Sequence, residues 1–264
     1  MKHYLKGMIV AAALAAAAIT GLAGTAKAQT AVDVELQLLV DVSGSVDSTE
    51  FALQRDGYVN AFQSAAIKNA ITDTTGGRLG KIAVQLIYWS GSSQQNIAVD
   101  WTLIDSDTAS DTFATAVQGA LRPFSGSTAP GSAIAFGDPL FDNNGFDGTS
   151  LVMDVSGDGT RNDGVDTSTA RDAALAGGID RINGLAIGGS TSVENFYQSE
   201  VVGGTNSFFV AANSFSDFQG AVATKIEAEI RGETPTIPVP STIALLGAGL
   251  LGLGTLARRR QKAA

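Results

Sequence analysis

After the apolar run Leu36-Gln37-Leu38-Leu39-Val40 the chain continues Asp41-Val42-Ser43-Gly44-Ser45. One carboxylate and two hydroxyls at every second position are hard oxygen donors, the kind that suit Mg²⁺, Mn²⁺ or Ca²⁺. Gly44 lets the chain turn, so the three side chains can converge instead of alternating across a pleat. Mg²⁺ takes octahedral oxygens at about 2.0–2.1 Å and usually keeps several waters. Two serines and few charged ligands would leave such an ion open to a carboxylate from outside. The plainer reading of so short a motif is that the three side chains cap the helix that follows.

The rest of the composition narrows the chemistry to oxygen. Cysteine is absent, and the one histidine, His3, lies in the N-terminal segment. A domain with neither residue has no disulfide framework, no ordinary zinc site and no Ser-His-Asp or cysteine nucleophile. Of 264 residues 26 are acidic and 17 basic, and seven of the basic ones sit in the two end segments. Residues 29–240 therefore carry ten basic against 26 acidic side chains, a formal charge of −16 compared with −9 for the whole chain. A nucleic-acid binder needs the opposite sign. A domain this acidic stays soluble and attracts divalent cations.

Both ends read as addresses. Lys2 and Lys6 precede an uncharged run from Met8 to Gly24, closed by Ala26-Lys27-Ala28, which predicts a secretory signal peptide (1–28) cut after Ala28. A retained membrane anchor is the alternative. At the other end an uncharged run from Ile243 to Ala257 is followed by Arg258, Arg259, Arg260 and Lys262. Fifteen helical residues span only about 22 Å, short for a bilayer core of about 30 Å. The basic cluster would hold its end in the cytoplasm, so the segment suits transient inner-membrane insertion.

Between the ends lies one domain's worth of chain. Val34–Val40 reads as a buried strand. Asp47-Ser48-Thr49-Glu50 offers a capping box for a helix running to about Asn69, with Phe51, Val59 and Phe62 inward. Lys81–Trp89 is a second strand and Asn96–Ile104 an antiparallel edge. Ser110–Leu121 is helical, and Ala133–Leu140 begins another helix. Thr149–Val155 is a strand ending in Ser156-Gly157-Asp158-Gly159. Ser168–Ala176, Ile182–Ile187, Val193–Val201, Ser207–Ala211 and Phe215–Arg231 then alternate helix and strand, the last helix carrying its acids and lysine on one side. The order predicts a doubly wound α/β fold: a mostly parallel six-stranded sheet, helices on both faces, one antiparallel edge strand. Ligands in such sheets bind at the carboxyl ends of the strands, where Asp41–Ser45 and Ser156–Asp163 both fall.

These residues resemble the von Willebrand factor A (VWA) family, whose metal-ion-dependent adhesion site (MIDAS) begins with Asp-x-Ser-x-Ser after a first apolar strand. The resemblance spans Val34 to Arg231. It implies a VWA-like, Rossmann-like fold in which a later loop supplies a threonine and the end of the fourth strand an aspartate. Thr128 in FSGSTAPGSAI and Asp158 in MDVSGDG match those places. The implied metal set is Asp41, Ser43, Ser45, Thr128 and Asp158, with Mg²⁺ foremost and Mn²⁺ or Ca²⁺ as alternatives. In the family the hydroxyls bind directly, the aspartates act mostly through water, and a ligand's acid takes the sixth position. More narrowly, WSG at Trp89, VSGDG at Val155 and ENFYQSEVVGG at Glu194 are similar to a bacterial secreted branch with no assigned function.

The tail, Pro238-Val239-Pro240-Ser241-Thr242 with its short apolar run and arginine cluster, resembles the PEP-CTERM sorting signal read by exosortase, with Val239 where the usual motif has Glu. That implies a linker over 232–240, a sorting segment over 241–264, and processing by an exosortase-type protease. The destination would be the cell surface or extracellular matrix of a Gram-negative bacterium.

Other residues have plainer readings. Asp154 sits in an apolar run, and DVSGDGTRN looks like a calcium loop, but the twelfth position, which needs a carboxylate, is Val165. Asp154 is expected to hydrogen-bond within the site or its neighbouring loop. Asp163 and Asp166 read as a solvated loop or a second cation site, Asp105 and Asp107 as a polar helix start. Trp89 and Trp101 are expected to pack sheet against helix.

Three functions follow. The first is an exported module that binds an acidic group of a protein or an anionic polysaccharide through a divalent cation. The second is a structural matrix or biofilm component whose metal site only stabilises. The third, a metal-assisted hydrolase, would have only an environment-shifted Asp or Glu as general base near neutrality in a domain without histidine, so the chain is expected not to be an enzyme.

Overall fold

The computed structural model describes residues 28–235. The N-terminal apolar run and the C-terminal sorting segment lie outside the described residues. Among those described, no helix is long and apolar enough to cross a membrane. In chain order the elements are β1 (Thr30–Val32), β2 (Val34–Asp41), α1 (Ser48–Gln63), α2 (Ala65–Thr72), β3 (Ile82–Trp89), β4 (Gln95–Ile104), α3 (Asp107–Gly119) and α4 (Pro130–Gly137). They continue with β5 (Phe146–Gly148), β6 (Leu151–Gly157), α5 (Thr167–Gly177), β7 (Arg181–Ile187), α6 (Thr191–Phe196), β8 (Gly203–Gly204), β9 (Phe209–Ala212) and α7 (Phe218–Arg231).

β2 is buried along its whole length because both of its faces meet helices; its apolar finish is Leu38-Leu39-Val40, and the buried Glu35 and Gln37 before it are hydrogen-bonded. It pairs in parallel with β3 on one side and β6 on the other. β4 adds antiparallel to β3, and β7 adds parallel to β6. The outer edge of β7 is shared by β8, antiparallel, and β9, parallel. The doubly wound sheet with its antiparallel edge is thus the predicted one. Among the described residues it has seven strands instead of six, because Gly203-Gly204 pairs with Arg181 and Ile182. A separate parallel pair, β1 with β5, has too few residues to show a period in the sequence.

One face of the sheet packs Leu36, Leu38 and Val40 against Tyr58, Phe62, Phe113 and Phe218 of α1, α3 and α7. The other packs Leu39, Trp89, Met153 and Val155 against Ala133, Ala170 and Tyr197. Trp89 is fully buried. The Trp101 ring meets Phe141 edge-on at 5.1 Å and its indole N–H donates to the Leu140 carbonyl at 2.9 Å. Both tryptophans pack as expected.

The helix predicted from 48 to about 69 is two helices. Ser64 takes an extended conformation (ψ 145°) between α1 and α2. Its hydroxyl donates to the Ala61 carbonyl at 2.7 Å and accepts from the Ile67 N–H at 3.3 Å. It ends one helix and caps the next, a role serine fills by competing with the backbone for hydrogen bonds.

α7 needs a larger correction. Its acids and lysine do not share one side: Lys225 and Glu229 are fully buried, while Glu227 is partly exposed and pairs with Arg231. Lys225 Nζ lies 2.6 Å from Asp154 Oδ1 and 2.5 Å from Glu229 Oε1. Asp154 is therefore part of neither the Asp41 site nor its loop. Side chains alternate along a strand, so Asp154 shares with Val152 the sheet face under α1 and α7, while Asp41 shares the opposite face with Leu39.

Candidate metal centre

Asp41 ends β2 and Asp158 follows the last residue of β6, the strand beside it. The chain leaves β2 toward β3 on one side and returns to β6 on the other, so the two acids stand where the strand order reverses. That is where a doubly wound sheet opens a crevice.

The turn after β2 holds its shape through its own first residue. Asp41 Oδ1 accepts the Ser43 N–H at 2.7 Å, and the Val46 N–H donates to the Ser43 carbonyl at 3.1 Å. The helix cap belongs to Asp47, which accepts from the N–H groups of Thr49 and Glu50 at 2.7 and 2.9 Å, while Glu50 Oε2 accepts the Asp47 N–H at 2.8 Å. The capping box predicted at Asp47 is present. The three side chains of the Asp41 motif are therefore not the cap, and the plainer reading of that motif falls.

All five residues singled out from the sequence come together. Ser43 Oγ lies 3.2 Å from Ser45 Oγ and 3.4 Å from Thr128 Oγ1. The Ser45 hydroxyl donates to Asp158 Oδ1 at 2.7 Å. Asp41 and Ser43 are fully buried and Thr128 nearly so, while Ser45 is exposed and Asp158 half-exposed. The cluster is a cup with a closed floor and one side open to solvent.

Residues the sequence did not mark hold the cup together. Arg122 donates to the carbonyls of Val42 (2.8 Å), Ser43 (2.7 Å) and Phe124 (3.2 Å), clamping the Asp41 turn to the segment that carries Thr128. The Ser90 hydroxyl donates to the Ser127 carbonyl at 3.0 Å and accepts the Gly126 N–H at 2.7 Å. Asn162 fixes Thr128 by exchanging two bonds with its backbone, at 2.7 and 2.9 Å. Gly44 donates its N–H to the Gly126 carbonyl at 2.8 Å, and a Cβ there would sit 3.3 Å from that oxygen. Its backbone is not left-handed, so close approach, and not turn geometry, is what calls for glycine. Ser90 stands in the WSG signature and Asn162 beside the Asp158 loop; Arg122 gave no signal beyond preceding Pro123.

Under the cup, Asp41 Oδ2 and the Tyr197 hydroxyl are both buried and have no hydrogen-bond partner. A Cβ on Gly157 would lie 2.7 Å from the first and 2.5 Å from the second. Burial pushes the Asp41 carboxyl up to about 7, helped by the nearby Asp158 charge and opposed by the Ser43 N–H. Burial, and then the charges of Asp41 and Asp158, lift the Tyr197 phenol well above its usual range, so it stays protonated. A carboxylate oxygen in a dry site with no donor is costly unless something positive meets it. Two carboxylates and three hydroxyls, linked in a chain of contacts from Asp41 through Ser43 to Thr128 and through Ser45 to Asp158, form an all-oxygen donor set of the kind a hard divalent cation takes. Among the described residues no group of three or more His, Cys, Asp or Glu forms a denser alternative. Asp163 and Asp166 are engaged by protein groups: Asp163 accepts from the N–H groups of Ser92 and Gly164, and Asp166 caps α5 through Thr169.

A family described as "Protein of unknown function (DUF1194)" matches residues 31–234. The chain belongs to that family. Residues 236–261 of this DUF1194 chain match the PEP-CTERM protein-sorting motif, the mark of an exported protein. Comparison with curated proteins gives no match. Among solved structures, proximal thread matrix protein 1 (PTMP1) from the mussel byssus superposes with a TM-score of 0.56 at 14% identity over 77% of this chain and 49% of its own. Another structure of PTMP1, described as having a zinc-occupied MIDAS motif, gives 0.55 at 14% identity with the same coverage. The pilus adhesin SpaC from Lactobacillus rhamnosus GG gives 0.55 at 16% over 78% and 32%. A von Willebrand factor type A structure from Catenulispora acidiphila gives 0.50 at 13% over 76% and 43%. The DUF1194 domain has the VWA-type fold. The chain covers about half the length of PTMP1, and at these identities the likeness is one of fold.

Proposed function

We propose that this DUF1194 domain is an exported binding module that grips one divalent cation through Asp41, Ser43, Ser45, Thr128 and Asp158 and offers it to an acidic group of a partner. The observation that carries the reading is the buried, unpartnered Asp41 Oδ2 in the same turn as the Ser43 hydroxyl, which lies within 3.2 Å of that of Ser45 and 3.4 Å of that of Thr128. Bound there, a cation supplies a positive, coordinatively unsaturated point at the open side of the cup. Ser43, Ser45 and Thr128 present neutral oxygens, Asp41 and Asp158 the charge, and Arg122, Ser90 and Asn162 keep the two loops in register.

Three of the five ligand groups are neutral hydroxyls and one side of the cup faces solvent, which leaves a place for a ligand's acid and favours adhesion over a closed structural site. Mg²⁺ or Mn²⁺ fits hydroxyl-rich oxygen ligation, with Ca²⁺ next. A structure of PTMP1, similar in fold, is described with a zinc-occupied MIDAS motif, which supports a divalent cation here, and the matrix and adhesin neighbours suit a surface or extracellular-matrix role after exosortase-related processing. In this reading the domain does no chemistry: Asp41, the carboxyl of the cup that burial pushes up to about 7, is taken up by the cation and not left as a general base.

Calorimetric titration of the purified chain with MnCl₂ tests the proposal. One site per chain, lost in Ser43→Ala and Thr128→Ala variants that keep their circular dichroism, is the expected result. A wild-type chain that takes up no Mn²⁺, Mg²⁺ or Ca²⁺ at millimolar concentration ends the reading.

A further inference from the structure

The densest chemistry outside the cup is the buried trio on the opposite face of the sheet. Lys225, Asp154 and Glu229 are each fully buried. Lys225 Nζ sits 2.6 Å from Asp154 Oδ1 and 2.5 Å from Glu229 Oε1. Asn183 Nδ2 holds Glu229 Oε1 at 2.9 Å, and Asn183 is itself fixed by accepting the Phe208 N–H at 3.0 Å. The Phe208 ring lies 5.9 Å from Nζ. Despite the short contact, neither oxygen of Asp154 has an aligned hydrogen bond, and Glu229 Oε2 has no partner either.

As a salt bridge this arrangement is poor. A buried ion pair holds its ground only when excellent geometry and further hydrogen bonds satisfy the remaining lone pairs, and here a second acid adds charge while three carboxylate oxygens go unserved. As a set of reactants it is complete: an amine, a carboxyl carbon within its reach, and a second carboxyl touching the same nitrogen.

We propose that Lys225 and Asp154 condense into an intramolecular isopeptide bond that ties α7 to β6, with Glu229 as the catalytic acid–base. In the dry core a proton passes from the Lys225 ammonium to the Asp154 carboxylate, leaving a neutral amine and a neutral acid. Nζ attacks Asp154 Cγ, and Glu229 takes the second nitrogen-bound proton as the C–N bond forms. Glu229 returns that proton to the departing hydroxyl, one C–O bond breaks, and one water leaves. No electron is gained or lost, and Glu229 ends as it began. The product amide removes one positive and one negative charge from a site that solvates neither.

The protonation states support this course. Burial raises the Asp154 carboxyl above its ordinary range and lifts Glu229 to about 7, the second also through the charge of Asp154. Confinement supplies the rest: holding the reacting groups in contact in one folded chain replaces an improbable encounter with a unimolecular step. Asp154 is the acyl partner in preference to Glu229, because the Asn183 bond keeps Glu229 in place and the Asp154 carboxylate has no such tether.

Peptide mapping of the full-length purified chain reads the bond directly. With no cysteine anywhere in the sequence, a covalent branch cannot be a disulfide. The expected result is a tryptic species joining the peptide that ends at Arg161 to the one that ends at Arg231, lighter than their sum by one water, with no cleavage after Lys225. Both peptides lie inside the domain, so trimming at either terminus does not disturb the assignment. Glu229→Gln, at equal incubation and with unchanged circular dichroism, should carry at least ten-fold less of the branched species. Separate peptides and cleavage after Lys225 in the wild type overturn the proposal, as does a branch mapped to Glu229 or Asn183. A Glu229→Gln chain that cross-links like the wild type removes the role given to Glu229.

Discussion

Ser45 and Asp158 stand 113 positions apart, yet the Ser45 hydroxyl donates to Asp158 Oδ1 at 2.7 Å. The bond joins two loops that follow neighbouring strands, at the solvent-facing rim of the oxygen cup. Both atoms belong to the proposed cation set; as donor, Ser45 keeps its lone pairs for an ion, while the bond engages a lone pair of Asp158 Oδ1. Asp158→Ala removes a partly exposed bond worth about 1 kcal/mol but also one of only two carboxylates. Mn²⁺ affinity by calorimetry should fall about 10–100-fold, while the melting temperature in chelator moves by no more than a few degrees.

Chelation separates the ion's contribution to the fold from that of the protein. If the cup holds Mn²⁺, free ion at a hundred times its dissociation constant stabilises the domain by about 2.7 kcal/mol. The melting temperature should rise with MnCl₂, return to baseline on adding EDTA, and respond to neither in Ser43→Ala.

Asp41 should trade stability for binding. Its carboxyl is pushed up to about 7 by burial, above its unfolded value, so the metal-free fold is favoured by this group below about pH 4. That advantage is lost as the pH rises through about 7. Asn at this position keeps an oxygen for the Ser43 N–H and removes the buried charge. In EDTA, Asp41→Asn should unfold at the same urea concentration as wild type near pH 3.5. At pH 8 it should be more stable, by on the order of 1–3 kcal/mol. Its Mn²⁺ binding should be lost at both pH values.

Arg122 is a clamp, and its geometry makes it irreplaceable by lysine. The guanidinium reaches three carbonyls on two segments at once, and a point-like ammonium cannot fork in that way. Arg122→Met should cost about 2–4 kcal/mol in urea unfolding, and Arg122→Lys should recover less than half. Both should weaken Mn²⁺ binding at least three-fold although neither residue touches the cup's oxygens.

Gly157 is required by what it faces. An added Cβ would lie 2.5 Å from the Tyr197 hydroxyl and 2.7 Å from Asp41 Oδ2. Gly157→Ala should destabilise the domain by about 1–3 kcal/mol and abolish Mn²⁺ uptake. Adding Tyr197→Phe removes one of the two clashes and should return part of the stability, measured by thermal unfolding, without restoring the ion.

Elements with a clear period or a paired chemical signal were legible in the sequence. β2 shows through its apolar finish Leu38-Leu39-Val40, which meets helices on both faces, and Asp47 with Glu50 announces α1 because each satisfies the other's backbone N–H. The break at Ser64 was not legible: a serine caps or sits within a helix depending on local competition that neighbouring residues barely bias. Nor was the inward turn of Lys225 and Glu229. Charged residues at i and i+4 look like a solvated helix face, and only Asp154, from a strand 71 positions earlier in the chain, makes the core their place.

From its residues alone this chain specified which chemistry is available: oxygen ligands, no thiol or imidazole in the domain, and an acidic domain ahead of a sorting motif. Residue types, spacing and charge are local properties, and the sequence carries them whole. The convergence of Ser43, Ser45, Thr128 and Asp158, the Arg122 clamp and the lysine held between two acids were decided by the tertiary structure. Each depends on which strands lie side by side and which sheet face a side chain meets, and long-range packing sets those relations.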